Sequence, residues 1–306
     1  MTNLEIKKKA AEFGADVCGI GNIKLFEGVP QSEDPRYILP GAKCIIGFGI
    51  SVPRLLYDNM EKGFLFYNYT NLGIKVIDED AVQYLLMKMG KLIEDEGYDA
   101  CLQRSVPNIR RKGDKQTNPE APDTVELVNA RTVSPDKPPP EVIINFGHCA
   151  EICGIGQRGL SEHIISERFG PYIRYCFIVT DLPLEYDHPV NGMICDRCGE
   201  CIAACPGKAI DREKGLDSWQ CSVYYRGAHH SNPFMTEEFL SGHPERDAIL
   251  NGEKRFDSDS AKKIYPLMNF LPSKTNKYVP CLCGKACDRV CYQHLLKQGK
   301  VKAGQL

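Results

Sequence analysis

The chain has no apolar run approaching the roughly 20 residues that cross a bilayer, and no charged-then-apolar leader opens it. No membrane span and no export route are expected. A charge bias is also missing: 38 basic and 40 acidic side chains leave a net charge of -2. General electrostatic attraction to nucleic acid or to a membrane surface is thereby excluded as a reading. Without export, fifteen cysteines read as reduced thiols and metal ligands, not as a disulfide framework. The setting expected is cytoplasmic and poor in oxygen.

Cysteine spacing organises the rest. Residues 195–206 read Cys195-Asp-Arg-Cys198-Gly-Glu-Cys201-Ile-Ala-Ala-Cys205-Pro206, which is C-x2-C-x2-C-x3-C-P. This is the ligand run of a bacterial two-cluster ferredoxin, in which three thiolates wrap one 4Fe–4S cubane and the fourth serves a second. Pro206 removes a backbone N–H and turns the chain away. Cys221 follows, and then Cys281, Cys283, Cys287 and Cys291. The assignment expected is Cys195, Cys198, Cys201 and Cys291 for one cluster. Cys205, Cys221, Cys287 and either Cys283 or Cys281 take the other. Cys283 is preferred if the chain bends at Gly284. A zinc site is the rival, but zinc favours isolated C-x2-C pairs in closed sets of four.

Elsewhere, residues 3–13 read as a helix closed by Gly14, and 78–96 as an amphipathic helix closed by Gly97. Residues 16–21, 44–52, 99–102 and 175–180 read as strands, the glycines in the first two marking close approach of backbone or ligand. The fold class expected is α+β with an α/β core. Residues 1–190 form a first domain, and 191–306 a cluster domain with an insertion at 222–280. Cys18 and Cys44 read as small buried hydrophobes. Residues 105–140, rich in proline and charge, read as a solvated excursion, with a lid as the rival. His229, His230 and His243 read as surface residues. Gly154-Ile155-Gly156-Gln157-Arg158-Gly159 has the form G-x-G-x-x-G but not the context of a dinucleotide site. It reads instead as a glycine-lined surface for a large flat ligand.

Three landmarks in order carry a family resemblance. Ala150-Glu-Ile-Cys-Gly154-Ile-Gly156-Gln-Arg-Gly159 is followed by Phe169-Gly170-Pro171 with Phe177-Ile-Val-Thr180-Asp181-Leu182-Pro183-Leu184, and then by the Cys195 run. Upstream, Leu39-Pro40-Gly41-Ala42-Lys43 also matches, as does Leu216-Asp217 before Cys221. Together they resemble the epoxyqueuosine reductase and reductive dehalogenase superfamily. The resemblance implies a reductase holding a base-off cobalamin or other corrinoid beside two 4Fe–4S clusters. It implies a reductive-dehalogenase-like corrinoid-binding domain before a ferredoxin-like one. The corrinoid is expected on Gly154, Ile155, Gly156, Gln157, Arg158 and Gly159. Proton donors are expected among His148, Tyr172, Tyr175 and Glu141. A low-potential ferredoxin or flavodoxin would supply electrons, and a small molecule would be the substrate.

The rival is a pure electron carrier that reactivates a partner corrinoid protein. Departures set the chain apart from the epoxide-reducing enzymes. The position of their aspartate falls on Pro140, that of their lysine on Leu160, and their C-terminal helical repeats are not found. Their second cysteine run reads C-x2-C-x3-C-P, whereas C-x-C-x3-C-x3-C stands here with Tyr292 in place of the proline. Epoxyqueuosine reduction in tRNA modification is therefore kept as a third alternative, with tRNA disfavoured as substrate.

Overall fold

The computed structural model describes residues 1–105, 142–271 and 278–301, with the backbone of an antiparallel ribbon, Arg110–Lys112 against Val125–Leu127. Glu141 and nearly all of the 105–140 excursion lie outside the described residues.

The chain starts with α1 (Asn3–Glu12), whose N-terminus is closed by a capping box. The Thr2 hydroxyl accepts from the Glu5 N–H, and the Glu5 carboxylate accepts from the Thr2 N–H at 2.7 Å. Four strands make the central sheet: β1 (Val17–Asn22), β2 (Cys44–Ser51), β3 (Ala100–Arg104) and β4 (Ile173–Thr180). Their order is β1-β2-β4-β3 and every pairing is antiparallel, with Val17 opposite Gly49, Cys44 opposite Thr180 and Ala100 opposite Thr180. The mixture of helix and antiparallel sheet is α+β.

Both faces of the sheet are covered, which is why β2 and β4 are apolar without alternation. On one face Ile46, Phe48 and Ile178 pack under Ile6 of α1 and under Leu85, Met89 and Ile93 of α3 (Val82–Asp95). On the other, Ile45, Phe177 and Val179 pack under Cys149, Ala150 and Ile152, on or beside α4 (Phe146–Ile152). Gly19 shows what the strand glycines do. A Cβ there would strike the carbonyl oxygen of Cys153, so the close approach foreseen is that of the protein's own backbone. Cys44 is buried and Cys18 half-buried, and burial pushes both thiols up to about 12, as expected of inert thiols.

The helix expected over 78–96 begins regularly only at Val82. Before it, α2 (Leu55–Glu61) leads to a π-helix over Tyr69–Ala81. Wide turns of this kind are rare and recur at functional sites.

The expected boundary at 190 is no break in the core. The last helix, α8 (Ala286–Lys297), returns to the first core and buries Tyr292 and Leu295 in it. The Tyr292 ring stacks on Tyr172 at 4.4 Å, and Tyr172 stacks on Tyr57 at 3.8 Å. The insertion has a core of its own, built from Val223, Tyr224, Phe239, Leu250, Phe256 and Ile264. Gln220, fully buried in α6 (Ser218–Tyr225), ties it down: its amide donates to the carbonyls of Gly207 and Lys254 and accepts from the Phe256 N–H.

His229 corrects the surface reading. It is buried, its Nδ1 lies 2.9 Å from the Ser231 hydroxyl, and its Nε2 has no partner among the described residues. His230 and His243 are exposed as expected. Burial pushes the His229 imidazole down to about 4 from its ordinary 6.5. Between those values the unfolded chain binds a proton that the folded chain refuses. Stability is therefore complete above pH 6.5 and falls as the pH drops towards 4, by on the order of 3 kcal/mol. Hydrogen exchange in the insertion should speed up across that window, and less so in His229→Phe. Equal acid sensitivity in both proteins would count against the assignment.

Candidate functional site

The structure gathers the cysteines from three distant stretches. In the Cys195 run, Arg197 and Gly199 take left-handed backbone, which wraps the chain before α5 (Glu200–Ala204). α8 lies against α5 and brings up Cys291. The thiols of Cys195, Cys198 and Cys201 are near enough to act on the ionisation of Cys291. Cys198 is exposed, so this group reaches the surface.

Cys205, Cys221, Cys283 and Cys287 line one small internal cavity. Cys281 is not among its lining residues. Gly284 and Lys285 are both left-handed, which supplies the bend that the irregular spacing required. The Ala209 N–H donates to Cys205 Sγ at 3.3 Å. Burial pushes the Cys221 thiol up to about 12 and that of Cys287 well above its ordinary value. Four converging thiols, of which Cys205, Cys221 and Cys287 are reluctant to ionise alone, fit a cationic iron–sulfur group, whose metal would supply the missing charge. Cys281 Sγ lies 3.7 Å from Cys283 Sγ, and burial pushes the Cys281 thiol well up, whereas the hydrogen bond from Cys281 draws Cys283 down.

A larger cavity of about 570 Å³ adjoins this one. Tyr57, Tyr69 and Arg174 line it, as do Tyr175, His163, Lys285 and Asp288; His163 and Lys285 line both cavities. Asp288 is buried between His163 Nδ1, against which its carboxylate lies, and Lys285 Nζ at 3.1 Å. Lys285 also reaches His163 Nε2 at 3.2 Å. Burial opposes charge on the Asp288 carboxyl, yet His163 and Lys285 overcome it and hold Asp288 below the ordinary carboxylate range. Arg174 is paired with Asp78 of the π-helix, its Nε at 2.9 Å.

Tyr57 and Tyr69 are almost wholly buried, with ring centres 4.9 Å apart, and burial pushes both phenols well above their ordinary value. Both were missed in the sequence, where only the aromatic Phe64–Tyr69 run hinted at Tyr69.

Of the proton donors expected, Tyr175 lines the cavity, and its hydroxyl donates to the Ile155 carbonyl at 3.1 Å. Tyr172 is sealed inside the tyrosine stack, and His148 packs edge-on to Phe26 with Nε2 unpartnered among the described residues. Neither lines the cavity.

The glycine segment is corrected as well. A Cβ on Gly154 would strike the His188 carbonyl, one on Gly156 the Tyr175 hydroxyl, and one on Gly159 the Ile165 side chain. The space beside these glycines is filled by the protein itself. Ile155 is buried, and Gln157 donates to the Gly192 carbonyl and accepts from the Ile194 N–H. Within Gly154–Gly159, Arg158 alone lines the cavity, bound to Asn145 and Glu162. The glycines of this segment are thus accounted for by the protein's own packing, and Arg158 is what the segment offers to the cavity.

No protein-family model matches the chain. In sequence it is similar to the epoxyqueuosine reductase of Bacillus cereus, 26% identical over 238 residues, covering 78% of this chain and 51% of the relative. The Bacillus anthracis enzyme gives the same figures. That of Cyclobacterium marinum is 23% identical, covering 72% of this chain and 67% of the relative. The chain spans about half the length of the two Bacillus relatives. Among solved structures it overlaps the Bacillus subtilis epoxyqueuosine reductase at 17% identity and a TM-score of 0.47, over 91% of this chain and 68% of that one. A reductive dehalogenase overlaps at 14% identity and 0.49, over 86% and 35%. The resemblance read from the three landmarks is thus met by sequence relatives across most of the chain.

Gly156 gives a test of the closed segment. Gly156→Ala should lose about 1–3 kcal/mol through overpacking against Tyr175 and the Ile164 methyl at 2.9 Å. In a Tyr175→Phe background the loss should be smaller, with a coupling of at least ~0.5 kcal/mol in denaturation measurements. Strict additivity would show that the glycine faces something else.

Proposed function

We propose that this protein is an iron–sulfur oxidoreductase that passes electrons through two 4Fe–4S clusters to a large cavity beside the second. Cys195, Cys198, Cys201 and Cys291 hold the first cluster, and Cys205, Cys221, Cys283 and Cys287 the second. The observation that carries the reading is the cysteine-lined cavity sharing His163 and Lys285 with the larger one. The exposed Cys198 makes the first cluster the entry point for a low-potential ferredoxin or flavodoxin.

In the large cavity, Tyr57 and Tyr69 stay protonated at working pH and hold their protons at Oη, free to pass them to a reduced substrate. Asp288, kept ionised by His163 and Lys285, fixes the wall between cluster and substrate. If a corrinoid is bound, this cavity is the place for it, with Arg158, Tyr57 and Tyr69 offering polar atoms to its amide fringe. It would supply a strongly reducing cobalt centre. A small substrate or a partner's corrinoid is the electron acceptor otherwise.

The names of the sequence relatives favour a second reading, reduction of epoxyqueuosine in tRNA. Incubation of reduced protein with an epoxyqueuosine-containing stem loop, followed by mass analysis, separates the two.

Anaerobically reconstituted protein should hold roughly eight irons per chain. Cys198→Ser and Cys287→Ser should each lose about half, removing different EPR signals. Four irons in the wild-type protein would sink the two-cluster reading. Titration with cob(II)alamin then tells a corrinoid enzyme from an electron carrier.

A further inference from the structure

Nine cysteines occupy the two ligand-spaced regions, and two cubanes use eight. The ninth, Cys281, is fully buried. The turn closed by Gly284 N–H donating to the Cys281 carbonyl at 3.2 Å sends Cys283 into the cysteine-lined cavity and leaves Cys281 behind it, in the main core. The two sulfurs remain 3.7 Å apart, within S–H···S hydrogen-bond range.

We propose that Cys281 is a positioning residue for the second cluster, its thiol donating a hydrogen bond to Cys283 Sγ and raising that cluster's reduction potential. This rests on the reading of Cys283 as an iron ligand. The direction of the bond follows from that role. A ligand thiolate carries no proton, so the proton between the two sulfurs belongs to Cys281. Reduction adds one electron to the cluster, and its charge spreads onto the ligand sulfurs. A donor aimed at one of them favours the reduced form. Cys281 has no access to water, so no solvent molecule replaces the donor once it is gone, and the surrounding low dielectric strengthens its effect. The comparable bond at Cys205 comes from the Ala209 backbone. The bond at Cys283 comes from a side chain and is open to mutation.

The test uses the full chain, reconstituted anaerobically, as Cys281→Ala and Cys281→Ser. EPR-monitored redox titration follows the signal that is missing from Cys287→Ser. Both variants should keep the full iron and sulfide content. In Cys281→Ala the equilibrium for one-electron reduction of the second cluster should fall about tenfold, which is ~59 mV, with the first cluster unmoved. In Cys281→Ser, where a hydroxyl still donates, the potential should lie between those of Ala and wild type. An unchanged potential in Cys281→Ala overturns the proposal. So does loss of half the iron in Cys281→Ala while Cys283→Ser keeps it, which would make Cys281 the ligand. A wild-type protein with only four irons fails earlier, at the two-cluster reading itself, and the iron count tells these failures apart.

Discussion

Two groups of cysteine thiols are gathered inside a protein whose burial opposes the ionisation of most of them. That constraint governs the C-terminal third of the chain. Burial alone raises the thiols of Cys221, Cys287 and Cys291 above their ordinary value. A cation among them would reverse the balance, so on the reading proposed above metal binding and folding are one process there. The same residues join distant parts of the chain. α8 carries Cys287 and Cys291 and also places Tyr292 on Tyr172 in the first core. A single helix thus ties these cysteines to the closing of the first core.

Much of this was legible. The Cys195 run has a fixed spacing because a cubane has a fixed size, so ligand geometry is written locally. Unbroken apolar runs announced β2 and β4, since both faces of the sheet are covered. The bend at Gly284 followed from a spacing one residue out of register. What could not be read depends on tertiary approach. The glycines of Gly154–Gly159 have the same composition whether a ligand or a tyrosine fills the space beside them, and here Tyr175 does so at Gly156. Tyr57 and Tyr69 sit in segments with no ligand spacing, and a π-helix joins one of them to the site. His229 looks like any polar loop residue until the insertion's own core is seen to enclose it.

The charged groups between Cys283 and Cys291 join the cysteine-lined cavity to the larger one. Lys285 and Asp288 are spaced by the turn and first residues of α8, the same backbone that aims Cys283 and Cys287. His163 approaches from the segment after Arg158 and completes the trio. Each member satisfies the others, so the wall between the two cavities carries no unpaired charge despite its burial. A polar wall that is fixed and already paired needs little rearrangement when charge arrives on either side. Tyr57 lies on the far side of that wall and is stacked through Tyr172 onto Tyr292, beside Cys291. The position of Tyr57 is thus set by the helix that carries Cys287 and Cys291. Displacing α8 would move these two cysteines, the paired wall and the phenol together.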